Sequence, residues 1–288
     1  MTGIIIKGIG GFYYVKAANQ CIYECRARGK FRKDRITPMI GDRVEIETDG
    51  EKGSIIEIFK RRNSLIRPPV SNIDTLIIVV AAAAPEPNLF LIDKMLINAE
   101  INGITPVICI NKTDLASGEE IEKIYKKAGY KVISLCAVKE EGIEQLMPVL
   151  KDKVTAFAGL SGVGKSSLLN LITDENAKTG TVSDKILRGR HTTRHVELFE
   201  LSEGGYVLDT PGFSSFEVEG ITAQELCRYF PEMQQLEEEC KFRGCSHINE
   251  PGCRVKELLE TGELDNSRYE SYKEIYNILK DIKEWERK

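Results

Sequence analysis

A glycine-rich segment followed by lysine and serine has the composition of a phosphate-binding loop. Gly159 and Gly164 are separated by four residues, and Lys165 and Ser166 follow at once. An apolar strand pattern enters the segment and a helical pattern leaves it, so backbone N–H groups would converge on a polyphosphate. Lys165 would meet the outer phosphates, and the Ser166 hydroxyl would bind Mg²⁺. The predicted phosphate-binding residues are Gly159, Leu160, Ser161, Gly162, Val163, Gly164, Lys165, Ser166 and Ser167; the alternative is a glycine-rich turn.

A second polar segment could select the base of a nucleotide. Asn111, Lys112 and Asp114 follow an apolar strand pattern that ends at Ile110, and ligands bind at such strand ends in open parallel sheets. The Asp114 carboxylate can accept hydrogen bonds from guanine N1–H and from the exocyclic amine. Adenine offers neither of these donors, so an ATPase or kinase is disfavoured. Beside the phosphate loop, this segment predicts GTP and GDP as ligands, although alone it could be a polar turn.

A third motif, Asp209-Thr210-Pro211-Gly212, follows another apolar strand pattern. Asp209 suits a water-mediated contact to Mg²⁺, and the Gly212 N–H can bind the γ-phosphate. The segment before it, residues 178–194, contains His191, Thr192 and Thr193. A threonine there, assigned to Thr193, would complete the Mg²⁺ shell; a solvated loop is the alternative.

The residue after Gly212 bears on hydrolysis. Many GTPases keep a glutamine at this place to orient the attacking water, whereas this chain has Phe213, which cannot do so. We therefore expect slow intrinsic turnover. His191 is the candidate for positioning water, against the alternative of a surface imidazole.

Four potential metal ligands lie within fourteen residues near the C-terminus. Cys240, Cys245, His247 and Cys253 supply three thiolates and one imidazole, the ligand set of a structural zinc site. Four protein ligands leave no open position for catalysis, so the predicted role is to fold a short segment. The other cysteines are expected to be small buried hydrophobic residues: Cys21, Cys25, Cys109, Cys136 and Cys227.

The elements that must position these residues change in character along the chain. Residues 1–67 show short β-rich runs between glycine turns, which predicts a five-stranded barrel like the OB-fold. Residues 68–220 alternate continuous apolar strands with helices, which predicts a parallel sheet covered by helices on both faces. Residues 221–288 show short helices and a final amphipathic helix from about Ser267, whose apolar stripe is expected to pack against the body.

Charge and composition narrow the classes of partner. The net charge of −4 combines a barrel segment of 14 Lys/Arg against 8 Asp/Glu with an acidic remainder. Such a basic segment suits a phosphate-backbone partner, although solubility alone could explain it. The longest apolar run, nine residues from Leu76 to Ala84, is too short to span a bilayer. The N-terminus shows no secretory signal pattern, so we expect a cytoplasmic monomer without membrane or DNA partners.

The order of the motifs points to a family. The base-selecting Asn111-Lys112-Thr113-Asp114 precedes the phosphate loop, whereas ordinary GTPases have the reverse order. With the basic barrel before, His191-Thr192-Thr193 between, and the cysteine cluster after, the chain resembles the RsgA family of circularly permuted GTPases that depend on the small ribosomal subunit. The resemblance covers about 280 residues. It implies hydrolysis of GTP in late maturation of the small subunit, contacts to 16S rRNA, stimulation by the subunit, and a catalytic role for His191.

One departure from the family pattern lies in the second base-binding turn. The family usually has Ser-Ala there, whereas this chain has Cys136-Ala137. Ala137 could still give its backbone N–H to the guanine oxygen. Two other functions stay open from the sequence: a GTP-sensing RNA-binding adaptor with incidental hydrolysis, and a GTPase that signals to a protein partner through the zinc module.

Overall fold

The computed structural model describes residues 1–65, 69–177, 196–209, 217–234 and 236–282. The chain forms two compact units. The first comprises residues 1–76, 143–157 and 165–213, and the second comprises residues 77–142, 158–164 and 214–288. Within the described ranges, every helix is too short or too polar to cross a membrane.

The N-terminal part of the first unit is a closed five-stranded barrel, as predicted. Its strands pair in the order β1-β2-β3-β5-β4. They are β1 (Thr2–Ile9), β2 (Phe12–Ala17), β3 (Ile22–Ala27), β4 (Arg43–Asp49) and β5 (Lys52–Ile58), with the short helix α1 (Gly29–Lys33) after β3. One face of each strand fills the interior, because side chains alternate along a strand. The fully buried residues are Ile5, Val15, Cys25, Val44, Ile46 and Ile55.

A buried carboxylate ties the barrel to the segment that follows it. Asp42, which is 0% exposed, accepts hydrogen bonds from Arg61 Nε at 2.7 Å and Ser71 Oγ at 2.6 Å. It also accepts one from the Met39 backbone N–H at 2.8 Å. Ser71 belongs to β7 (Val70–Ser71), which pairs with β6 (Ser64–Leu65). Since a buried charge is costly unless it is paired, these partners fix where the barrel ends.

The central sheet has six strands in the order β10-β9-β8-β11-β13-β12. They are β8 (Thr75–Ala81), β9 (Thr105–Asn111), β10 (Lys131–Ser134), β11 (Val154–Ala158), β12 (Leu198–Glu200) and β13 (Tyr206–Asp209). β9 and β10 are parallel, as are β11 and β13. The edge strand β12 is antiparallel to β13. The sheet is therefore mixed: the predicted parallel pairing is found for β9 with β10 and for β11 with β13, and the edge strand β12 is antiparallel.

The edge strand contacts the barrel through ion pairs. Lys7 Nζ lies 2.7 Å from Glu197 Oε2, and Lys16 Nζ lies 3.0 Å from Glu200 Oε2. Lys7 and Glu197 also form an antiparallel backbone bridge. The three-residue β12 thus serves as the attachment of barrel strands to the sheet, within the first unit.

Among the described residues, four helices lie between strands of the sheet. They are α2 (Leu89–Ile101), α3 (Glu119–Lys127), α4 (Met147–Leu150) and α5 (Lys165–Ala177). Asn88 caps α2 by accepting a hydrogen bond from the Leu91 backbone N–H at 2.9 Å, which satisfies a free donor at the helix start. A 3₁₀ turn, Ile143–Gln145, precedes α4.

The C-terminal part of the second unit is helical among its described residues. It contains 3₁₀ helices at Ala223–Tyr229 and Glu237–Glu239, and α6 (Pro231–Gln234), α7 (Arg254–Glu260) and α8 (Asn266–Asp281). The apolar stripe of α8 packs as expected, because Tyr272 and Ile275 are buried in one core with Phe230 and with Ile97 of α2. Helix α2, which follows the first strand of the sheet, is therefore part of the C-terminal core.

A buried cation joins the same elements. Arg268 of α8 is 1% exposed and forms ion pairs with Asp93 of α2 and Glu232 of α6. Its guanidinium carbon lies 4.6 Å from the ring centre of Phe230. Burial disfavours this cation, but Asp93 and Glu232 raise the pKa of Arg268 well above its usual value. The charged network therefore fixes α8 against α2.

The Asp42 network gives a test of the barrel anchor. Replacing Asp42 by alanine removes the buried carboxylate that accepts from Arg61 Nε and Ser71 Oγ, and we expect the barrel to lose about 3 kcal/mol of stability. Hydrogen exchange of the β4 and β5 amides in the full chain measures this loss. The control is Glu47→Ala, which removes an exposed pair with Arg28 and should cost less than about 1 kcal/mol. Equal losses in the two variants would contradict the anchor.

Candidate nucleotide site and metal centre

The buried side chain of Asn111 joins two segments that the sequence assigned to nucleotide binding. Asn111 ends β9 and is 2% exposed. Its Nδ2 donates to the Val163 carbonyl at 2.9 Å, and its Oδ1 accepts from the Ala137 backbone N–H at 3.0 Å. The phosphate-loop segment and the second base-binding turn are therefore held to one amide group. Both polar groups of this buried amide are hydrogen-bonded, so the positions of the two segments are coupled.

Glycines allow the phosphate loop to approach its neighbours. Gly159 has φ +138°, and a Cβ there would lie 2.2 Å from the Val79 carbonyl oxygen of β8. Gly164 has φ +97°, and its Cβ would lie 2.2 Å from Asn111 Nδ2. A side chain at either position is excluded by contact and by backbone conformation. Such a loop leaves main-chain N–H groups free of side-chain cover, which suits a polyphosphate.

The remaining residues of the base-selecting segment are also held in place. Lys112 has a left-handed φ of +64°, and its Nζ donates to the Ala84 carbonyl. Thr113 Oγ1 donates to the Leu135 carbonyl at 3.1 Å. Together these contacts hold the loop after β9 against the loop after β8 and against the end of β10. Asp114 is left exposed to solvent, where a base could reach its carboxylate.

The second base-binding turn lies beside Asp114. The Cys136 thiol donates to Asp114 Oδ1 at 3.2 Å. The Ala137 N–H would have to be shared between Asn111 and a guanine oxygen, so its predicted bond to the base stays a prediction. The described geometry thus brings Asn111, Asp114, Cys136, Ala137 and Val163 together within the second unit.

The other predicted site residues within the described ranges lie in the phosphate-loop segment, in α5 and at the end of β13. Lys165, Ser166 and Ser167 form the first turn of α5, directly after the loop, and Asp209 ends β13 opposite Phe157 of β11. Leu160, Ser161 and Gly162 lie in the loop itself. His191, Thr192, Thr193 and Gly212, together with Phe213, fall outside the described residues, and their roles stay predictions.

The four cysteine and histidine ligands form a tight cluster, as the spacing indicated. Their ligand atoms all lie within 4.8 Å of one another. His247 Nδ1 lies 3.3 Å from Cys253 Sγ and 3.6 Å from Cys240 Sγ. Zn–S bonds of about 2.3 Å and Zn–N bonds of about 2.0 Å place tetrahedral ligands roughly 3.5–3.8 Å apart, so the donor set fits Zn²⁺. The other five cysteines are not part of this cluster.

Groups around the cluster hold its loop. Tyr269 Oη donates to the His247 carbonyl at 2.8 Å, and Tyr272 Oη donates to the Ser246 carbonyl at 2.9 Å. Glu250 Oε1 accepts from the Ser246 hydroxyl at 2.6 Å. Burial opposes ionisation of Glu250, but the hydrogen bonds from Ser246 and nearby backbone lower its pKa to about 2. The loop is thus preformed by α8 and by an ionised carboxylate.

The thiols show why the cluster favours a metal. Burial raises the pKa of Cys245 to about 12 and also raises that of Cys253. Neutral thiols packed this closely have few good partners, whereas a bound Zn²⁺ makes them thiolates and neutralises them. The cluster residues would therefore hold zinc in a structural role.

Three functional contacts were not predicted from the sequence. The sequence assigned Asn111 to the nucleotide but could not show that its amide links Val163 to Ala137. It placed Cys136 in the second base-binding turn but gave no partner for its thiol, since the bond to Asp114 comes from tertiary packing. Cys21 is exposed, so the expectation that it is buried was wrong.

The chain is similar in sequence to the RsgA proteins over its whole length. The RsgA GTPase family matches residues 58–219, and the RsgA N-terminal domain family matches residues 2–56. A relative from Caldanaerobacter subterraneus subsp. tengcongensis named small ribosomal subunit biogenesis GTPase RsgA is 52% identical over 100% of this chain and 98% of its own. A relative of the same name from Ruminiclostridium cellulolyticum is 51% identical over 99% of this chain and 96% of its own.

Two solved structures are similar to this chain over nearly its whole length. The crystal structure of YjeQ from Thermotoga maritima is similar with a TM-score of 0.84 and 36% identity, covering 98% of this chain and 99% of that one. YloQ, described as a circularly permuted GTPase, is similar with a TM-score of 0.83 and 40% identity, covering 98% and 96%.

The glycine contact gives a test of the phosphate loop. In Gly164→Ala the new Cβ displaces Asn111 Nδ2, so we expect GDP affinity to fall by roughly 30-fold to 100-fold. The matched control is Gly162→Ala, with φ +82° and a nearest atom 3.8 Å away, which should lose about tenfold or less from backbone strain alone. Titration calorimetry with GDP measures both. Equal affinities in the two variants would show that the Asn111 contact does not matter.

The metal cluster gives a second test. We expect about one Zn²⁺ per purified chain, and Cys253→Ser should reduce this content several-fold because one of four ligands is weakened. Elemental analysis measures zinc, and proteolysis of residues 217–282 measures loosening of the segment. GDP binding should change little. The control, Cys21→Ser, alters an exposed cysteine outside the cluster and should keep its zinc; loss of zinc there, or full retention in Cys253→Ser, would refute the assignment.

Proposed function

The chain belongs to the RsgA family and is a GTP-hydrolysing enzyme, and we propose that it acts in maturation of the small ribosomal subunit. The observation that carries the proposal is the Asn111 side chain, which binds both the Val163 carbonyl and the Ala137 N–H. This arrangement couples the segment assigned to phosphate binding to the turn assigned to base binding. The relatives that extend over the whole chain carry the name of a subunit biogenesis GTPase.

We assign the residues to steps as follows. Asp114 selects guanine, and the backbone N–H groups of residues 159–164 with Lys165 bind the phosphates of GTP. Ser166 and Thr193 would hold Mg²⁺, with Asp209 contacting it through water. When bound, Mg²⁺ neutralises charge on the β- and γ-phosphates. The Gly212 N–H binds the γ-phosphate, and His191 orients the attacking water, since Phe213 has no group that could.

The barrel has features that suit an RNA contact. Arg26 lies over the Phe12 ring at 4.5 Å. Both line a cavity of about 520 Å³ together with Tyr13 and Arg35. Aromatic faces beside guanidinium groups stack unpaired bases and attract phosphates. We therefore propose that residues 1–67 contact 16S rRNA, and that residues 221–288 form a zinc-containing module that also meets the subunit.

We propose that the chain has three functional domains: the barrel at 1–67, the GTPase domain at 68–220 and the zinc module at 221–288. We further propose that the chain works as a cytoplasmic monomer, binds the subunit with GTP, and leaves after hydrolysis.

A GTPase that signals to a protein partner is the second candidate, favoured by the acidic remainder of the chain. It predicts no salt-sensitive association with RNA.

GTP turnover with purified ribosomal subunits tests the function. We expect small subunits to raise the turnover of the full chain by roughly tenfold or more, because the bound subunit would supply contacts that stabilise the transition state. Large subunits and free protein should show slow turnover. Equal stimulation by both subunits, or by neither, would overturn the role in small-subunit maturation.

The same assay with His191→Ala tests how the stimulation works. This variant should bind GTP within about twofold of the natural chain, since His191 is assigned to the water and not to the nucleotide, and should lose the stimulated turnover. Full stimulated turnover in His191→Ala would remove its catalytic role while leaving the subunit dependence intact.

A further inference from the structure

A groove at the C-terminal end of α8 is lined mainly by aliphatic side chains. It has a volume of about 460 Å³ and lies within the second unit. Its lining consists of residues 217–221, Lys94 of α2, and four residues at the end of α8: Ile275, Ile278, Leu279 and Ile282. A space of this size accepts a large side chain. We refer to it as the α8 groove.

One aliphatic side chain of the α8 groove is exposed to solvent. Val218, Ile221, Ile275 and Leu279 are at most 7% exposed and belong to the C-terminal core. Ile278 lines the same groove but is 47% exposed. The described residues therefore leave the groove partly open. An apolar group placed there would be stabilised, because it removes the surface of Ile278 from water.

The chain continues directly from this groove. Ile282 lines the groove and is the last described residue, and residues 283–288 follow it. They include Trp285, which is the single tryptophan of the sequence. Three residues of chain span at most about 10 Å, so the indole of Trp285 is within reach of the groove. A short tether gives it a roughly millimolar effective concentration, which favours it over a separate molecule.

The charges of the groove and of residues 283–288 are complementary. Glu217 and Glu219 are exposed among the residues that line the groove. The six following residues carry Lys283, Arg287 and Lys288 against two glutamates. Exposed ion pairs are individually weak, so these charges would mainly orient the segment. Burial of the large apolar surface of the indole would supply most of the affinity.

We propose that residues 283–288 dock on the α8 groove of their own chain, with the Trp285 indole covering Ile278. The basic residues of the segment then face the two exposed glutamates of the groove. Docking closes an apolar surface that would otherwise be open to other proteins. The proposal is independent of the nucleotide site and of the metal cluster.

Intrinsic fluorescence of the full chain tests the docking, because Trp285 is the single tryptophan. Excitation at a wavelength that tyrosine does not absorb, with acrylamide as a collisional quencher, measures the exposure of its indole. A pocket buries most of the surface of its occupant, so we expect quenching about threefold slower than in the unfolded chain. Ile278→Glu places a charge in the groove and should speed quenching at least about twofold.

Asn277→Glu is the matched control. Asn277 is the exposed neighbour of Ile278 on α8 and does not line the groove, so the same added charge should leave the quenching unchanged. Zinc content and GDP affinity should be those of the natural chain in both variants. If Ile278→Glu loses zinc, Glu217→Lys with Glu219→Lys replaces it; this reversal of two exposed charges should speed quenching by about half.

Three results would each overturn the proposal. Quenching in the natural chain as fast as in the unfolded chain would show that the indole is not covered. Slow quenching that Ile278→Glu leaves unchanged would place the indole somewhere other than the α8 groove. Quenching that becomes slower as the protein concentration rises would assign the groove to a second copy, because docking within one chain does not depend on concentration.

Discussion

The nucleotide site depends on one buried amide that serves as donor and acceptor at the same time. Asn111 has no freedom to move, because its Nδ2 holds the Val163 carbonyl and its Oδ1 holds the Ala137 N–H. Gly164 lies so close to this amide that no other residue fits there. The phosphate loop and the second base-binding turn, which are distant in sequence, are consequently placed by the same side chain. Preorganisation of this kind lowers the cost of ordering the site when a ligand binds.

Circular permutation changes the order of these segments but not the contacts they need. The base-selecting segment follows β9, and the phosphate loop follows β11 later in the chain. Each functional segment still leaves the end of a sheet strand, where α/β proteins bind ligands. What the permutation does alter is the element that follows Asp209. The next residues that the structure describes, from 217 onward, contribute to the C-terminal core around Phe230 and Tyr272.

Much of this architecture is legible in the sequence, and the exceptions have physical causes. The strand pattern expected before the phosphate loop is found at Val154–Ala158, because a mainly apolar run ends there at a glycine. The helix α2 is bounded by Asn88 and Asn102, which are its cap residues. The strand β12 is missed because three residues carry no periodic signal and its stability comes from pairing with β13. Contacts such as Cys136 to Asp114 or Arg268 to Asp93 are tertiary, and no local pattern encodes them.

The packing of Ile97 has a consequence for how the chain is made. Ile97 is fully buried, but the side chains that cover it begin at Val218, about 120 residues later in the sequence. At roughly 5–20 residues per second, a ribosome synthesises that stretch in about 6–24 seconds. During this time the apolar face of α2 is displayed on a nascent polypeptide. The core around Ile97 can therefore close only after most of the C-terminal segment has been synthesised.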